Sequence, residues 1–299
     1  MNMLTIESEM QAVRCVLDAR AQLGECPVWS AEEQALYWVD ILAPALHRFD
    51  PASGASRSWP LPQAIGSFGL CESGGAVLAL RDGFYRFDFD SAELRYIGGP
   101  QVPDGVRFND GKVSPEGRFF AGTMDEECLS RPLGALYRLD PDGTCSQVLD
   151  GLIVANGLAW SADGKRLCHS DSKGKFIRCY DYDTASGALT NPSVLARPDE
   201  EVGRPDGAAM DLDGYYWSAG ISAGVLNRWA PDGSLERRIE LPCACPTMPC
   251  FGGPELKTLY VTSLRHGLSE QRLAQWPLSG GIFALEVEVP GVPVARFKG

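Results

Sequence analysis

The sequence is poor in histidine, positive charge and long apolar runs. Only three of its 299 residues are histidines, and 27 lysines and arginines face 39 aspartates and glutamates, for a net charge of −12. Because nucleic-acid binders need a basic surface for phosphates, this balance disfavours a nucleic-acid partner, while it is compatible with cation binding. No apolar run approaches the ~20 residues that a membrane-spanning helix needs, so we expect no membrane partner.

Signals for secretion and for a disulfide framework are also missing. The stretch Met1 to Met10 lacks a positively charged start followed by an apolar core, which indicates a cytoplasmic protein, and no obligate protein partner is evident. Ten cysteines are scattered along a long chain, so we expect reduced thiols. Cys243, Cys245 and Cys250 form one group worth weighing as metal ligands. Without a C-x-x-C pair or a nearby histidine, buried thiols are favoured there.

A polar residue placed four positions before a large apolar one recurs along the chain in constant register. The four pairs are Glu25/Trp29, Asn109/Val113, Asn156/Trp160 and Asp206/Met210. An acidic residue follows seven positions after each polar one, at Glu32, Glu116, Asp163 and Asp213. Two further stretches keep the register without the polar side chain, where Gly66 leads to Leu70 and Thr247 to Phe251. The chain therefore contains six copies of one unit.

Each unit is typical of short strands separated by turns, and helical periodicity is absent. In the third unit we predict strands at 111–114, 118–123, 134–140 and 146–149, bounded by Pro-Glu-Gly and Pro-Asp-Gly turns. The polar positions are 84, 47 and 50 residues apart, and 84 spans two units. A period of ~40–50 residues with four strands is typical of a β-propeller blade.

We therefore predict an all-β fold, a six-bladed β-propeller with four antiparallel strands per blade, in which residues 1–299 form a single domain. The segment from about Gln11 to Leu17 has no partner in its own unit, so it is expected to pair with the C-terminal strands and close the ring. A pair of β-sandwiches would not require one register throughout. A WD-repeat propeller is disfavoured because the Gly-His and Trp-Asp signatures are missing.

The repeat also predicts where chemistry is located. The first strand of every propeller blade lines the central channel, so Glu25, Asn109, Asn156 and Asp206 should meet around one axis. Each could instead be a turn residue, but Glu25 has no turn preference. Two carboxylates and two amides would repel unless a cation lies among them, and such oxygen ligands suit calcium, magnesium or manganese and tolerate zinc or ferrous iron. The histidines fall outside the repeated position, which disfavours a histidine-rich zinc site.

Two arginines and one loop are further candidates at the channel mouth. Arg107 and Arg204 each precede a repeated polar residue by two positions, so strand alternation can turn them the same way, and the pattern does not choose between them. The connection 124–133 in the third unit is long and carries Asp125, Glu126 and Glu127. Long loops at a channel mouth often shape a pocket, although a solvated acidic loop is the commoner case.

Several stretches together resemble the senescence-marker-protein, gluconolactonase and regucalcin family, nearly from end to end. They are 23–29 (LGECPVW), 107–112 (RFNDGK), 121–124 (AGTM), 156–161 (NGLAWS), 205–207 (PDG) and 251–253 (FGG). The resemblance implies a six-bladed propeller with one divalent metal ion held by Glu25, Asn156 and Asp206. It further implies substrate contacts from Arg107, Asn109 and Glu127, with Asp206 also acting as acid and base. Cys26 stands where a glycine is usual in the family.

The resemblance implies hydrolysis of a sugar-acid lactone such as a glucono-, xylono-, arabinono- or galactonolactone, with calcium the first expectation for the metal. Two alternatives remain open. Related propellers cleave esters or phosphotriesters with a similar metal, and the regucalcin branch makes a calcium-binding protein without catalytic duty conceivable.

Overall fold

The computed structural model describes residues 13–299, which form six four-stranded antiparallel sheets. The innermost strand of each sheet packs against those of the neighbouring sheets, and the sixth packs against the first, so the sheets are the blades of a closed ring. The predicted six-bladed β-propeller is confirmed. The described residues do not include Gln11 or the stretch Met1 to Met10, on which the expectation about secretion rests.

The strands follow the repeat in chain order. After β1 (Arg14–Leu17), blade one holds β2 (Gly24–Ser30), β3 (Ala35–Asp40), β4 (Ala45–Phe49) and β5 (Ser56–Pro60). Blade two holds β6 (Ile65–Leu70), β7 (Ala76–Leu80), β8 (Gly83–Phe87) and β9 (Leu94–Gly98). Blade three holds β10 (Val106–Val113), β11 (Phe119–Asp125), β12 (Gly134–Leu139) and β13 (Cys145–Leu152).

The second half of the ring repeats this arrangement. Blade four holds β14 (Ala155–Trp160), β15 (Arg166–Asp171), β16 (Phe176–Tyr182) and β17 (Leu189–Ala196). Blade five holds β18 (Pro205–Met210), β19 (Tyr216–Gly220), β20 (Val225–Trp229) and β21 (Leu235–Glu240). Blade six holds β22 (Pro246–Gly252), β23 (Thr258–Ser263) and β24 (Ile282–Glu286).

The sixth blade takes its outer strand from the other end of the chain. Its order is β1-β24-β23-β22, and Arg14 pairs with Ala284 and Cys15 with Phe283 in antiparallel register. The expectation that an N-terminal strand closes the ring is confirmed for Arg14–Leu17. The strand numbered first in the chain thus completes the last blade.

Each innermost strand is buried along its whole length, because neighbouring blades cover both of its faces. Between blades two and three, the ring of Phe84 packs against Phe108 and Phe119, with centroids 4.9 and 5.9 Å apart. Gly66 permits this approach, since a Cβ at that position would lie 2.5 Å from the backbone carbon of Phe108.

The innermost strand of blade three starts earlier than the sequence predicts, and all six innermost strands are irregular at the same place. In blade three the strand begins at Val106 rather than at residue 111. Every innermost strand shifts register at or beside the repeated position, for example between Glu25 and Val28 and between Asn156 and Ala159. Such β-bulges redirect side chains, so the repeated polar residues lie inside bulged strands rather than in turns.

Two expectations about the chain are corrected. A six-residue helix, α1 (Glu270–Gln275), lies between β23 and β24, and it is too short to produce a helical periodicity in the sequence. Cys168 and Cys179 are joined by a disulfide, whereas we expected reduced thiols throughout. They lie directly opposite each other on β15 and β16, a pairing set by strand register. The other eight cysteines are free.

Among residues 13–299, no helix is both long and apolar enough to cross a membrane.

Candidate active site and metal centre

The four repeated polar residues lie on four innermost strands around the channel. Glu25 is on β2, Asn109 on β10, Asn156 on β14 and Asp206 on β18, and all four are buried. Asn109 Nδ2 lies 3.1 Å from Asn156 Oδ1, so the side chains of blades three and four meet directly. The repeat thus brings distant parts of the chain to one place.

Hydrogen bonds fix the amide of Asn156. Its Nδ2 donates to Ser172 Oγ at 2.8 Å, and that hydroxyl donates in turn to the carbonyl oxygen of Pro205 at 2.6 Å. Asn156 Oδ1 accepts from Asn109 Nδ2, whose amide also donates to the carbonyl oxygen of Ala155 at 3.0 Å. With its nitrogen occupied, Asn156 presents an oxygen, which has a second lone pair for a cation.

The carboxylates near this amide repel one another. Burial, followed by the charges of Asp206 and Asp110, raises the pKa of Glu25 well above its usual range. Burial, followed by the charge of Asp110, raises the pKa of Asp206 to about 8. Within residues 13–299, the backbone N–H of Cys26, at 3.0 Å, is the only hydrogen-bond donor to Glu25 Oε2.

A divalent cation fits this set of donors. Buried like charges are costly unless a counter-charge lies between them, and a bound metal ion reverses the local pKa shifts. Glu25, Asp206 and the oriented oxygen of Asn156 are hard oxygen ligands of the kind that calcium or magnesium takes. Among residues 13–299, no group of three or more His, Cys, Asp or Glu side chains could hold a metal. Cys243 and Cys250 are buried, Cys245 is half-buried, and all three are free. The predicted metal ligands, by contrast, are two carboxylates and one amide, so they do not amount to three His, Cys, Asp or Glu side chains.

Sequence reasoning missed Asp110. It is fully enclosed, with Oδ2 accepting from the backbone N–H of Leu158 at 3.2 Å and Oδ1 without a hydrogen-bond partner among the described residues. Burial raises the pKa of Asp110. Consecutive residues of a regular strand face opposite ways, so Asn109 and Asp110 were not expected to share one side. The register shift between Phe108 and Gly111 interrupts that alternation, and both side chains reach blade four, Asn109 at Ala155 and Asp110 at Leu158.

Lys112 was missed for the same reason. It is buried, and its Nζ donates at 2.6 Å to the carbonyl oxygen of Ala208 on β18, two blades away. Burial lowers the pKa of Lys112, and the charge of Asp110 opposes that change. Lys112 therefore supplies a positive charge near Asp110 and links blade three to blade five.

Arg107 lies at the edge of the site. Its Nη1 donates to the carbonyl oxygen of Phe108 at 2.8 Å and to Asn109 Oδ1 at 3.0 Å, and its Nε lies 3.3 Å from Glu126 Oε1. Glu126 also pairs with Arg81 at 2.7 Å. Glu127, by contrast, is 64% exposed and pairs with Arg131 at 2.9 Å. The loop residue that meets Arg107 is thus Glu126, next to the predicted Glu127.

Arg204, the second arginine candidate, lies on the blade-five side of the mouth. Its side chain is 24% exposed, and its Nη1 pairs with Glu200 Oε2 at 2.9 Å. Its Nε is buried without a hydrogen-bond partner in the described part of the chain. Arg107 and Arg204 therefore both lie beside the channel, but they have different ion-pair partners.

Cys26 adopts a backbone conformation that suits the glycine expected at this position from the family resemblance. Its φ is 46°, in the left-handed region that glycine enters without strain. Its Sγ lies 3.6 Å from the carbonyl oxygens of Phe68 and Gly111, and burial raises the pKa of the thiol well above its usual range. The side chain points between blades, so the thiol acts as packing beside Glu25.

Comparison with known proteins gives a consistent result. The sequence model described as SMP-30/Gluconolactonase/LRE-like region matches residues 23–265. The 6-deoxy-6-sulfogluconolactonase of Pseudomonas putida is 42% identical over 290 residues, covering 97% of this chain and 99% of that protein. Regucalcin of Xenopus laevis is 35% identical over 294 residues, covering 96% and 98%.

A solved structure has the same architecture. The calcium-binding protein regucalcin of Agrobacterium tumefaciens superimposes with a TM-score of 0.91 at 26% identity, covering 97% of this chain and 98% of that one.

Proposed function

The chain belongs to the SMP-30/gluconolactonase/LRE-like family, and we propose that it is an ester hydrolase that opens a sugar-acid lactone with the help of one divalent metal ion. The observation that carries the proposal is the buried convergence of Glu25, Asn156 and Asp206 with Arg107 and Asn109 beside it. The similarity to a protein named for a gluconolactone supports the substrate class.

Glu25, Asn156 and Asp206 would hold the ion. When bound, a divalent ion polarises an ester carbonyl and makes water more acidic. Calcium is our first expectation because the ligands are hard oxygens and relatives are named as calcium-binding, while zinc, magnesium, manganese and ferrous iron also suit the ligand set.

The remaining steps belong to the side chains. A carboxylate oxygen of Asp206 accepts a proton from the attacking water and later returns one to the ring oxygen that leaves. Arg107 donates to sugar hydroxyls or to the developing oxyanion. Asn109 uses both Nδ2 hydrogens on Ala155 and Asn156, so its Oδ1, which accepts from Arg107 at 3.0 Å, would accept from a sugar hydroxyl. Glu127 is a further candidate contact, supplied by the loop at the mouth.

Replacement of Asp206 tests the mechanism. We expect Asp206→Asn to lower kcat by about a hundredfold or more, because an amide cannot accept the proton. The measurement is proton release on glucono-, xylono-, arabinono- and galactonolactones, together with metal content by elemental analysis. Full turnover by a variant that still contains the metal would exclude Asp206 as the base.

Two other functions are separated by the same assays. A calcium-binding protein without catalytic duty, suggested by the similarity to regucalcin, would bind metal tightly and show no chelator-sensitive lactone hydrolysis. An esterase or phosphotriesterase would favour aryl esters or organophosphates over lactones. The lactone panel should include charged members, since the Pseudomonas relative is named for a sulfonated lactone.

A further inference from the structure

The channel mouth between blades five and six carries positive charge that ion pairs only partly neutralise. Arg204 immediately precedes β18 and stands two residues before Asp206. Its acidic partner, Glu200, is 54% exposed and is shared with Lys175, at 3.0 Å. Surface pairs of this kind are weak, so Glu200 does not fully occupy the guanidinium.

One donor of Arg204 has no acceptor. The Nε–H is buried, and no hydrogen-bond partner for it exists in residues 13–299. A buried donor left unpaired costs free energy, and guanidinium N–H groups are arranged to bind oxyanions through two parallel hydrogen bonds. An anionic ligand would therefore supply the hydrogen-bond acceptor that Arg204 Nε lacks.

A second arginine borders the same place. Arg272 lies on α1, is exposed and makes no ion pair within the described part of the chain. Burial raises the pKa of the Cys245 thiol, the charges of Arg272 and Arg204 lower it, and that of Asp206 raises it. Topology places the two arginines at the same end of neighbouring blades. Cys245 immediately precedes β22, which packs against β18, and its carbonyl oxygen accepts from the backbone N–H of Leu264 in the segment that leads to α1.

We propose that Arg204 and Arg272 form an anion subsite and that the preferred substrate is a lactone with a sulfonate, phosphate or carboxylate group on a carbon remote from the ester. The inference rests on the proposed lactonase function and specifies its substrate class. The two guanidinium groups bind the oxyanion while the ester lies at Asp206. This arrangement selects a charged lactone although the protein as a whole is acidic.

The test compares the specificity constants, kcat/KM, for charged and for neutral lactones. kcat/KM is measured for glucono-1,5-lactone and for its analogues that carry a sulfonate, phosphate or carboxylate at carbon six. Arg204→Met and Arg272→Met should each lower the ratio of charged to neutral lactone by about tenfold or more, because a charge-assisted hydrogen bond is lost. Arg204→Lys should restore part of the ratio, since it keeps the charge and loses the Nε donor. The charged analogue with the highest ratio identifies the group.

Arg238→Met is the matched control. Arg238 is exposed on β21, the outer strand of the same blade, and its replacement changes the net charge equally. We expect its ratio to equal that of the unaltered protein. Raised salt should increase KM for the charged lactones more than for the neutral one.

The outcomes separate the two proposals. If neutral and charged lactones are hydrolysed but the arginine variants keep the ratio of the control, the anion subsite is refuted and the lactonase stands. If no lactone is hydrolysed, the lactonase proposal fails. Calorimetric binding of 6-sulfogluconate against gluconate then decides whether an anion subsite exists, since equal affinities would refute it. Because Arg272 is exposed, its variant remains informative should Arg204→Met fold poorly.

Discussion

At the scale of single residues, Asp206 shows how burial and like charge prepare a group for a cation. Its pKa is about 8 because of burial and the charge of Asp110, whereas a free aspartate has a pKa of about 4. Between these values the folded metal-free protein binds more protons than the unfolded chain. By proton linkage, this contribution to stability is present at low pH and is lost as pH rises through the folded pKa.

We therefore predict that metal-free protein loses part of its free energy of unfolding as pH rises from 5 to 8, and that Asp206→Asn removes much of this pH dependence. Calcium at a hundred times its dissociation constant should add about 2.7 kcal/mol at pH 8. Urea unfolding at both pH values, with and without calcium, provides the measurement. Equal pH slopes for the two proteins would argue against the raised pKa.

Lys112 gives a second prediction at this scale. Lys112→Met should lower the free energy of unfolding by about 3–5 kcal/mol, because Asp110 loses its nearby positive charge while staying buried. Adding Asp110→Asn should recover part of the loss, since the double variant holds no unbalanced charge. The exposed Lys165→Met serves as control. Urea unfolding compares it with the unaltered protein, Lys112→Met, Asp110→Asn and the double variant. Strict additivity of the two buried substitutions would contradict the coupling.

At the scale of elements, the loop that follows β11 decides how Arg107 is held. Glu126 lies against both Arg107 and Arg81, whereas Glu127 pairs with Arg131 on the same loop. The family resemblance indicated Glu127 as a substrate contact, and that role stays a prediction. Neighbouring residues of an irregular loop point in directions that sequence spacing does not determine.

We predict that Glu126→Gln raises KM for the lactone by about tenfold, because Arg107 loses a charged partner that positions its guanidinium. Glu127→Gln is the matched change one residue away. Steady-state kinetics of both variants decide between them. A larger effect at Glu127 would show that the loop rearranges when substrate binds.

At the scale of the whole molecule, closure of the ring depends on β1. This strand pairs with β24 and gives the sixth blade its outer strand, so the two ends of the chain meet in one sheet. We propose that residues 1–299 form one domain, since each blade is stabilised by both of its neighbours.

We accordingly predict one cooperative thermal transition for the intact chain and a lower Tm for a chain without residues 1–17, because β24 would keep β23 and lose β1, one of its two partners. Differential scanning calorimetry measures both, and a chain without residues 1–12 isolates the contribution of β1. Two separate transitions in the intact chain would contradict the single domain.

The fold could be read from the sequence by itself because a propeller repeats one local pattern. Turn residues and apolar positions recur at the same spacing in every blade, and that spacing determines six blades of four strands. The same register identified Glu25, Asn109, Asn156 and Asp206 as neighbours, since equivalent positions of a ring meet at its axis.

Other features depend on contacts between segments far apart in sequence, and only the tertiary structure decided them. Bulges in the innermost strands turn Asp110 and Lys112 inward, against the alternation of a regular strand. Strand register places Cys168 opposite Cys179. Sequence position made Arg107 and Arg204 equivalent, but packing holds Arg107 against Asn109 and Glu126 and leaves Arg204 paired with the exposed Glu200.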